Sequence, residues 1–208
     1  MKKLLIILLP ILILIGCSSE GEIKIINRTN HNLYFSIKNN DYILEGSQTS
    51  DPTQSIDIDT GRQFLFWGDD EKAVAMHLEG ETFMLQDADA SGNPNGLFYT
   101  ETTLHVEPDK TLKVFCDATH AGVKLINNSF QNVENFSYFT DDSDTLKTLN
   151  YEPILSGETF WSRLKASTVW DSIIYSFVVE FEDGTIDDST NTDIEGLNLD
   201  EQYLIELE

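Results

Sequence analysis

This 208-residue sequence is poor in the residues that mark most catalytic and nucleic-acid-binding chains. It has two cysteines, Cys17 and Cys116, too few for a disulfide framework and without a CxxC pair. Its four histidines, His31, His77, His105 and His120, show no HxH or HExxH spacing, which excludes the common zinc signatures. G-x-S-x-G nucleophile elbows and glycine-rich phosphate loops are absent. Basic residues number 13 against 36 acidic ones, a net charge of −23. Such a surface repels nucleic acid and anionic lipid headgroups, so no nucleic-acid partner is expected. Apolar runs are short. The longest, Leu4 to Ile15, is interrupted by Pro10 and falls well below the ~20 residues a membrane helix needs. Helical periodicity is nearly absent too, with residues 141–150 the one stretch that predicts a short helix.

What is present begins at the N-terminus. Lys2 and Lys3 precede the apolar run, and a small residue, Gly16, follows it, the layout of a secretory signal. Leu14-Ile15-Gly16-Cys17 resembles the lipobox of bacterial lipoproteins. That resemblance implies a signal peptide over 1–16, acylation of the Cys17 thiol with a diacylglyceryl group, and cleavage that makes Cys17 the new N-terminus. Two or more acyl chains, each buried methylene contributing ~0.8 kcal/mol, give stable anchoring. Residues 17–21 then read as a lipidated tether. Ser18 after the cysteine, by analogy with enteric lipoproteins, favours the outer membrane. The acidic stretch Ser18-Ser19-Glu20-Gly21-Glu22 is similar to export tethers of surface lipoproteins in Bacteroidetes-type bacteria. The expected location is therefore the bacterial cell envelope, with the membrane as a partner through acylated Cys17 and the body on the periplasmic or the surface face. Loss of Lys2 and Lys3 with the leader leaves 11 basic residues against 36 acidic, a mature charge of −25.

The remainder repeats itself. Ile23-Lys24-Ile25-Ile26-Asn27 returns as Val123-Lys124-Leu125-Ile126-Asn127, an offset of 100. Ile58-x-x-Gly61-x-x-Phe64 returns as Ile154-x-x-Gly157-x-x-Phe160, offset 96. Leu104-x-Val106 and Leu112-x-Val114 return as Leu197-x-Leu199 and Ile205-x-Leu207, offset 93. The order is kept and the offset shrinks, as loop deletions produce. The expectation is two related domains, 22–119 and 122–208, with Ala121-Gly122 as a very short linker.

Period-two alternation predicts strands throughout. Leu33, Phe35 and Ile37 alternate with Tyr34, Ser36 and Lys38. Leu112, Val114 and Cys116 alternate with Lys113 and Phe115, which places Cys116 in a core as a small apolar residue. Turns rich in Asn, Asp and Gly separate the runs. About seven short strands per half suit an all-β fold of two tandem immunoglobulin-like antiparallel β-sandwich domains. The Cys…Trp…Cys pattern of antibody domains is missing, so strand topology stays open.

Asp87-Ala88-Asp89-Ala90-Ser91-Gly92-Asn93 is similar to the start of an EF-hand calcium loop, with oxygen ligands on alternate residues at Asp87, Asp89, Ser91 and Asn93. The match ends there: Pro94 stands where an aliphatic residue belongs, and Phe98 where a bidentate Glu belongs. Calcium is the one cofactor this reading allows. The acidic groups Asp69-Asp70-Glu71, Asp141-Asp142-Ser143-Asp144 and Asp183 with Asp187-Asp188 read as solvated turns. His77 and His105 read as exposed strand histidines. Phe64-Leu65-Phe66-Trp67, Phe98-Tyr99, Phe160-Trp161 and Trp170 divide between core packing and an exposed stripe or domain contact. Asn27-Arg28-Thr29 and Asn127-Asn128-Ser129 read as strand-ending turns. With no catalytic residue to name, the expected function is a non-enzymatic binding or adhesion-type lipoprotein with an unknown protein or glycan partner. The alternatives are an envelope component assembling through a sheet edge, or an enzyme acting on glycans.

Overall fold

Alternating apolar side chains need a second layer to bury them, and each half of this chain supplies one. The computed structural model describes residues 17–63, 71–187 and 193–208. The first half contains β1 (Cys17–Asn27), β2 (Leu33–Ile37), β3 (Asn40–Leu44), β4 (Thr53–Gln63), β5 (Lys72–Gly80), β6 (Leu85–Ala88), β7 (Pro94–Tyr99), β8 (Glu101–Val106) and β9 (Thr111–Cys116). The second contains β10 (Ala121–Asn127), β11 (Val133–Thr140), β12 (Ser143–Thr148), β13 (Thr159–Leu164), β14 (Ile174–Phe181), β15 (Asp193–Glu195) and β16 (Gln202–Leu207). The fold is all-β, as the alternation predicts.

In the first half a three-stranded sheet β4-β1-β9 faces a four-stranded sheet β3-β2-β5-β8. In the second, β13-β10-β16 faces β12-β11-β14-β15. Among the described residues the pairing is antiparallel except once in each half: β1 runs parallel to β9, and β10 parallel to β16. Two separate cores result. Ile23, Ile25, Leu33, Phe35, Ile58, Leu78, Val106 and Cys116 build the first; Val123, Leu125, Phe136, Tyr175, Phe177, Val179 and Ile205 build the second. Each large apolar side chain so buried stabilises the fold by roughly 1.5–3 kcal/mol before the entropy of ordering is counted.

Matched hydrogen bonds tie the halves to one plan. The Asn27 side-chain amide donates to the carbonyls of His31 and Leu44, and its oxygen accepts from Thr29. Asn127 donates to Gln131 and Ile154 and accepts from Ser129. Both Asn side chains are fully buried, so the repeated motif is a strand-ending turn fixed from inside.

Several expectations change. Residues 141–150 form β12 and its flanking turns, not a helix, because they pair with β11. Residues 17–21 are not a loose tether: they open β1 and pair with β4, and Ser19 is buried with its hydroxyl 2.9 Å from that of Thr60. Ala121-Gly122 is not a linker but the start of β10. The first half has more strands than expected because an extra hairpin, β6-β7, is inserted between β5 and β8. Phe64 to Trp67, Asp69, Asp70 and Asp188 lie outside the described residues.

Candidate binding groove

The halves meet at the end of β1 remote from Cys17. There the outer face of β13-β10-β16 sits on the tips of β2 and β5. Glu81, 1% exposed, is the centre of the contact. It accepts from Lys124 Nζ at 3.0 and 3.3 Å, from the Tyr34 hydroxyl at 3.0 Å, and from Gln202 Nε2 at 2.9 Å. The Arg163 guanidinium donates to Glu79 Oε2 at 3.0 Å and to the carbonyl of Gly80 at 3.0 Å. Trp161 stacks on Tyr34, ring centroids 5.4 Å apart and planes nearly parallel. Asp200 accepts from the Asn30 amide and the Thr82 hydroxyl. Gly122 lets β10 come this close: a Cβ there would stand 3.1 Å from the Glu81 carbonyl oxygen.

Beside this contact runs a groove of about 860 Å³. One wall is first-half: Met84, Phe98 of the inserted hairpin, Thr119 and His120. Phe98 meets the His120 ring edge-on at 4.6 Å. Burial, aided by the nearby Arg163 charge, pushes the His120 pKa below its ordinary value. The other wall is second-half: Leu149, Tyr151, Leu199 and the consecutive residues from Phe160 to Thr168. Tyr151 is fully exposed, and Leu199 stands 55% exposed. Just past Thr168, Val169 and Trp170 form the tip of a tight turn and are more than 90% exposed. A second hollow, about 850 Å³, lies over the outer face of β2, β5 and β8. Its floor is Ser36, Ala73, Ala75 and Thr103, with His77 beside them and no Phe, Tyr or Trp among its described lining residues.

The residues singled out in the sequence divide accordingly. Asp87, Asp89, Ser91 and Asn93 sit at the tip of the β6-β7 hairpin. The Asp89 carboxylate accepts from the amides of Ser91 and Asn93 and from the Asn93 side chain; these bonds, led by the Asn93 amide, hold its pKa below the ordinary range. Asp87 accepts from Asn95 Nδ2 at 2.6 Å. Among the described residues no three His, Cys, Asp or Glu side chains come together as a metal cage. His77 lies near Glu79 and His105 near Glu71, both on outward strand faces. Cys116 is fully buried, and desolvation followed by the Asp117 charge pushes its thiol up to about 12. Phe160 packs on the second core while Trp161 makes the contact between halves, the division that period two requires. Sequence reasoning missed the Glu81–Lys124 and Glu79–Arg163 pairs and the grouping of Tyr151 and Leu199 with Phe98. The one advance sign was Lys124 itself, a cation inside a repeated strand.

No family model matches the chain, and no curated protein matches it. Among solved structures it is similar to the Bacillus anthracis TIE protein, at 9% identity and a TM-score of 0.27, over 91% of this chain and 33% of that one. The chain thus spans about a third of that protein's length. It is also similar to a DUF3823 family protein from Bacteroides ovatus, at 7% identity and a TM-score of 0.24, over 86% of this chain and 100% of that one. An adhesin-like protein from Bacteroides ovatus aligns at 10% identity and a TM-score of 0.24, over 91% and 87% of the two chains. At these scores the likenesses carry no argument about function.

Proposed function

We propose that the chain is a lipid-anchored, non-enzymatic binding module of the bacterial cell envelope, and that the junction groove is its recognition surface. The groove carries the binding reading: exposed aromatic and aliphatic side chains from both halves converge on one concavity, against a background of solvated acids. The anchor rests on Leu14-Ile15-Gly16-Cys17. Residue 17 opens a strand of 11 residues that ends at the junction. At ~3.3 Å per residue, β1 sets the groove about 33 Å from the acylated end. The paired start of β1 makes that spacing stiff, so acyl chains on Cys17 hold the groove outward from the outer membrane.

Labelling with radioactive palmitate tests the anchor. The wild-type chain incorporates label, and Cys17→Ser yields an unlabelled, slowly processed precursor. Label on the Cys17→Ser chain would sink the assignment. Protease shaving of whole cells then separates the surface face from the periplasmic one.

A further inference from the structure

We infer that the groove takes an extended, basic polypeptide segment of another protein, which adds as a strand to the free edge of β13. The inference rests on the reading of the groove as the recognition surface and specifies its ligand. It starts from a geometric fact. Every residue from Phe160 to Thr168 lines the groove. In a strand, neighbouring side chains leave on opposite faces. A concavity that touches both faces of β13 must therefore run along its edge.

That edge is open. β13 has β10 on one side and, among the described residues, no strand on the other. The direction of its main-chain groups follows from β10. The Gly122 amide donates to the Glu201 carbonyl, on the β16 side. Val123 and Leu125 therefore turn toward β13, where they pair with Ser162 and Phe160. The N–H and C=O groups of Trp161 and Arg163 are left pointing into the groove.

The devices that usually blunt an edge are missing. The strand reads Thr-Phe-Trp-Ser-Arg-Leu, with neither proline nor lysine. Its ladder with β10 is regular, whereas β1 and β4 slip register at Ser19/Glu20. Its one charge, Arg163, is held by Glu79. Along the edge, Leu149, Phe160 and Ala166 are partly buried residues packed on the second core, an apolar seam that an added strand would close. Backbone pairing with apolar side chains at alternate positions is how extended peptides are recognised.

Charge complementarity selects the partner's sign. The groove's own cations, Arg163 and Lys165, are each held by a carboxylate, Glu79 and Asp171; Glu152 adjoins Tyr151 of the groove, and the whole chain carries −23. A basic segment is drawn to this field and an acidic one repelled.

The test uses the full chain in detergent micelles and a displayed library of random twelve-residue peptides. Selection enriches peptides that alternate apolar with Lys or Arg residues. The best of them slows amide exchange at Trp161 and Arg163. Methylating its amide nitrogens at every second residue removes about three main-chain hydrogen bonds and weakens binding roughly a hundredfold. Tyr151→Ala, Leu199→Ala and Phe98→Ala each weaken it as well. If methylation changes nothing while these substitutions do, strand addition is wrong and the groove reading stands. If methylation matters but the substitutions do not, and protection appears on another edge, the groove reading fails. No enrichment, recognition of glycans alone, or pairing of β13 with a second copy of the chain overturns the inference.

Discussion

Buried Glu81 and partly exposed Lys124 form an ion pair, Oε1 to Nζ 3.0 Å, that joins the first half of the chain to the second. A carboxylate this enclosed is tolerated because every approach to it carries a donor: Lys124, Tyr34 and Gln202. The expected result is that the halves unfold as one cooperative unit in urea. Lys124→Ala should cost roughly 3–5 kcal/mol by leaving Glu81 charged and unpaired, and should split the transition in two. The double variant Glu81→Leu/Lys124→Leu should recover most of that loss. Equal effects in the single and double variants would show that the pair does not couple the halves.

Asn27 and Asn127 offer a comparison inside one molecule. Each fully buried amide satisfies carbonyls of the following turn while its oxygen accepts from Thr29 or Ser129. Asn→Ala at either site strands buried carbonyls and amides, at about 1–3 kcal/mol for a group left unsatisfied. The two losses should match within about 1 kcal/mol and add in the double variant, since the sites share no partner. Urea midpoints of the two single variants and the double decide this. A neutral Asn127→Ala would mean that its turn is held by other contacts.

The repeat was only partly readable from residues. Its first block is sound, because Ile23 and Val123 lie in central strands with corresponding neighbours, one antiparallel and one parallel. The second block misleads. Ile154 accepts from Asn127 as Leu44 does from Asn27, so Ile154 corresponds to Leu44 and not to Ile58. The third is one pleat out of register: Ile205 pairs with Leu125 as Val114 pairs with Ile25. Period-two sequences match again after a slip of two residues, so pattern alone cannot fix register. The Glu81 and Arg163 contacts were hidden for another reason. They join residues 43 and 84 apart, and nothing local tells such an acid from the solvated ones around it. The groove depends on the same long-range meeting. Tyr151 and Phe98 each look like an ordinary loop aromatic until the inserted hairpin brings them to one concavity.

Cys116 was legible as a core residue, and its chemistry follows from that position. A thiol needs its thiolate to react, and burial pushes this one up to about 12. Ellman's reagent should leave the native chain unlabelled at Cys116 at pH 8 and titrate one thiol there in urea. With Cys17→Ser as the background, that signal belongs to Cys116 alone. Rapid native labelling would place the thiol at the surface and contradict its position beside Ile23 and Val106 in the first core.

His120 gives the junction a pH dependence with a defined sign. Burial first, and Arg163 second, lower its folded pKa below the unfolded value, so the folded state prefers neutral imidazole. Above pH ~6.5, the ordinary histidine value, both states are neutral and its contribution is fully present. As the pH falls below that point the unfolded chain takes up a proton that the folded chain refuses. Stability then declines until the folded pKa is reached. His120→Gln should flatten the part of the decline between pH ~6.5 and the onset of carboxylate titration at about 4–5. The ring also packs against Phe98, so protonation should loosen the hairpin wall of the groove. Urea midpoints at half-unit pH steps, with amide exchange across β6 and β7, read both effects. A decline of equal slope in wild type and His120→Gln would assign the pH dependence to other groups.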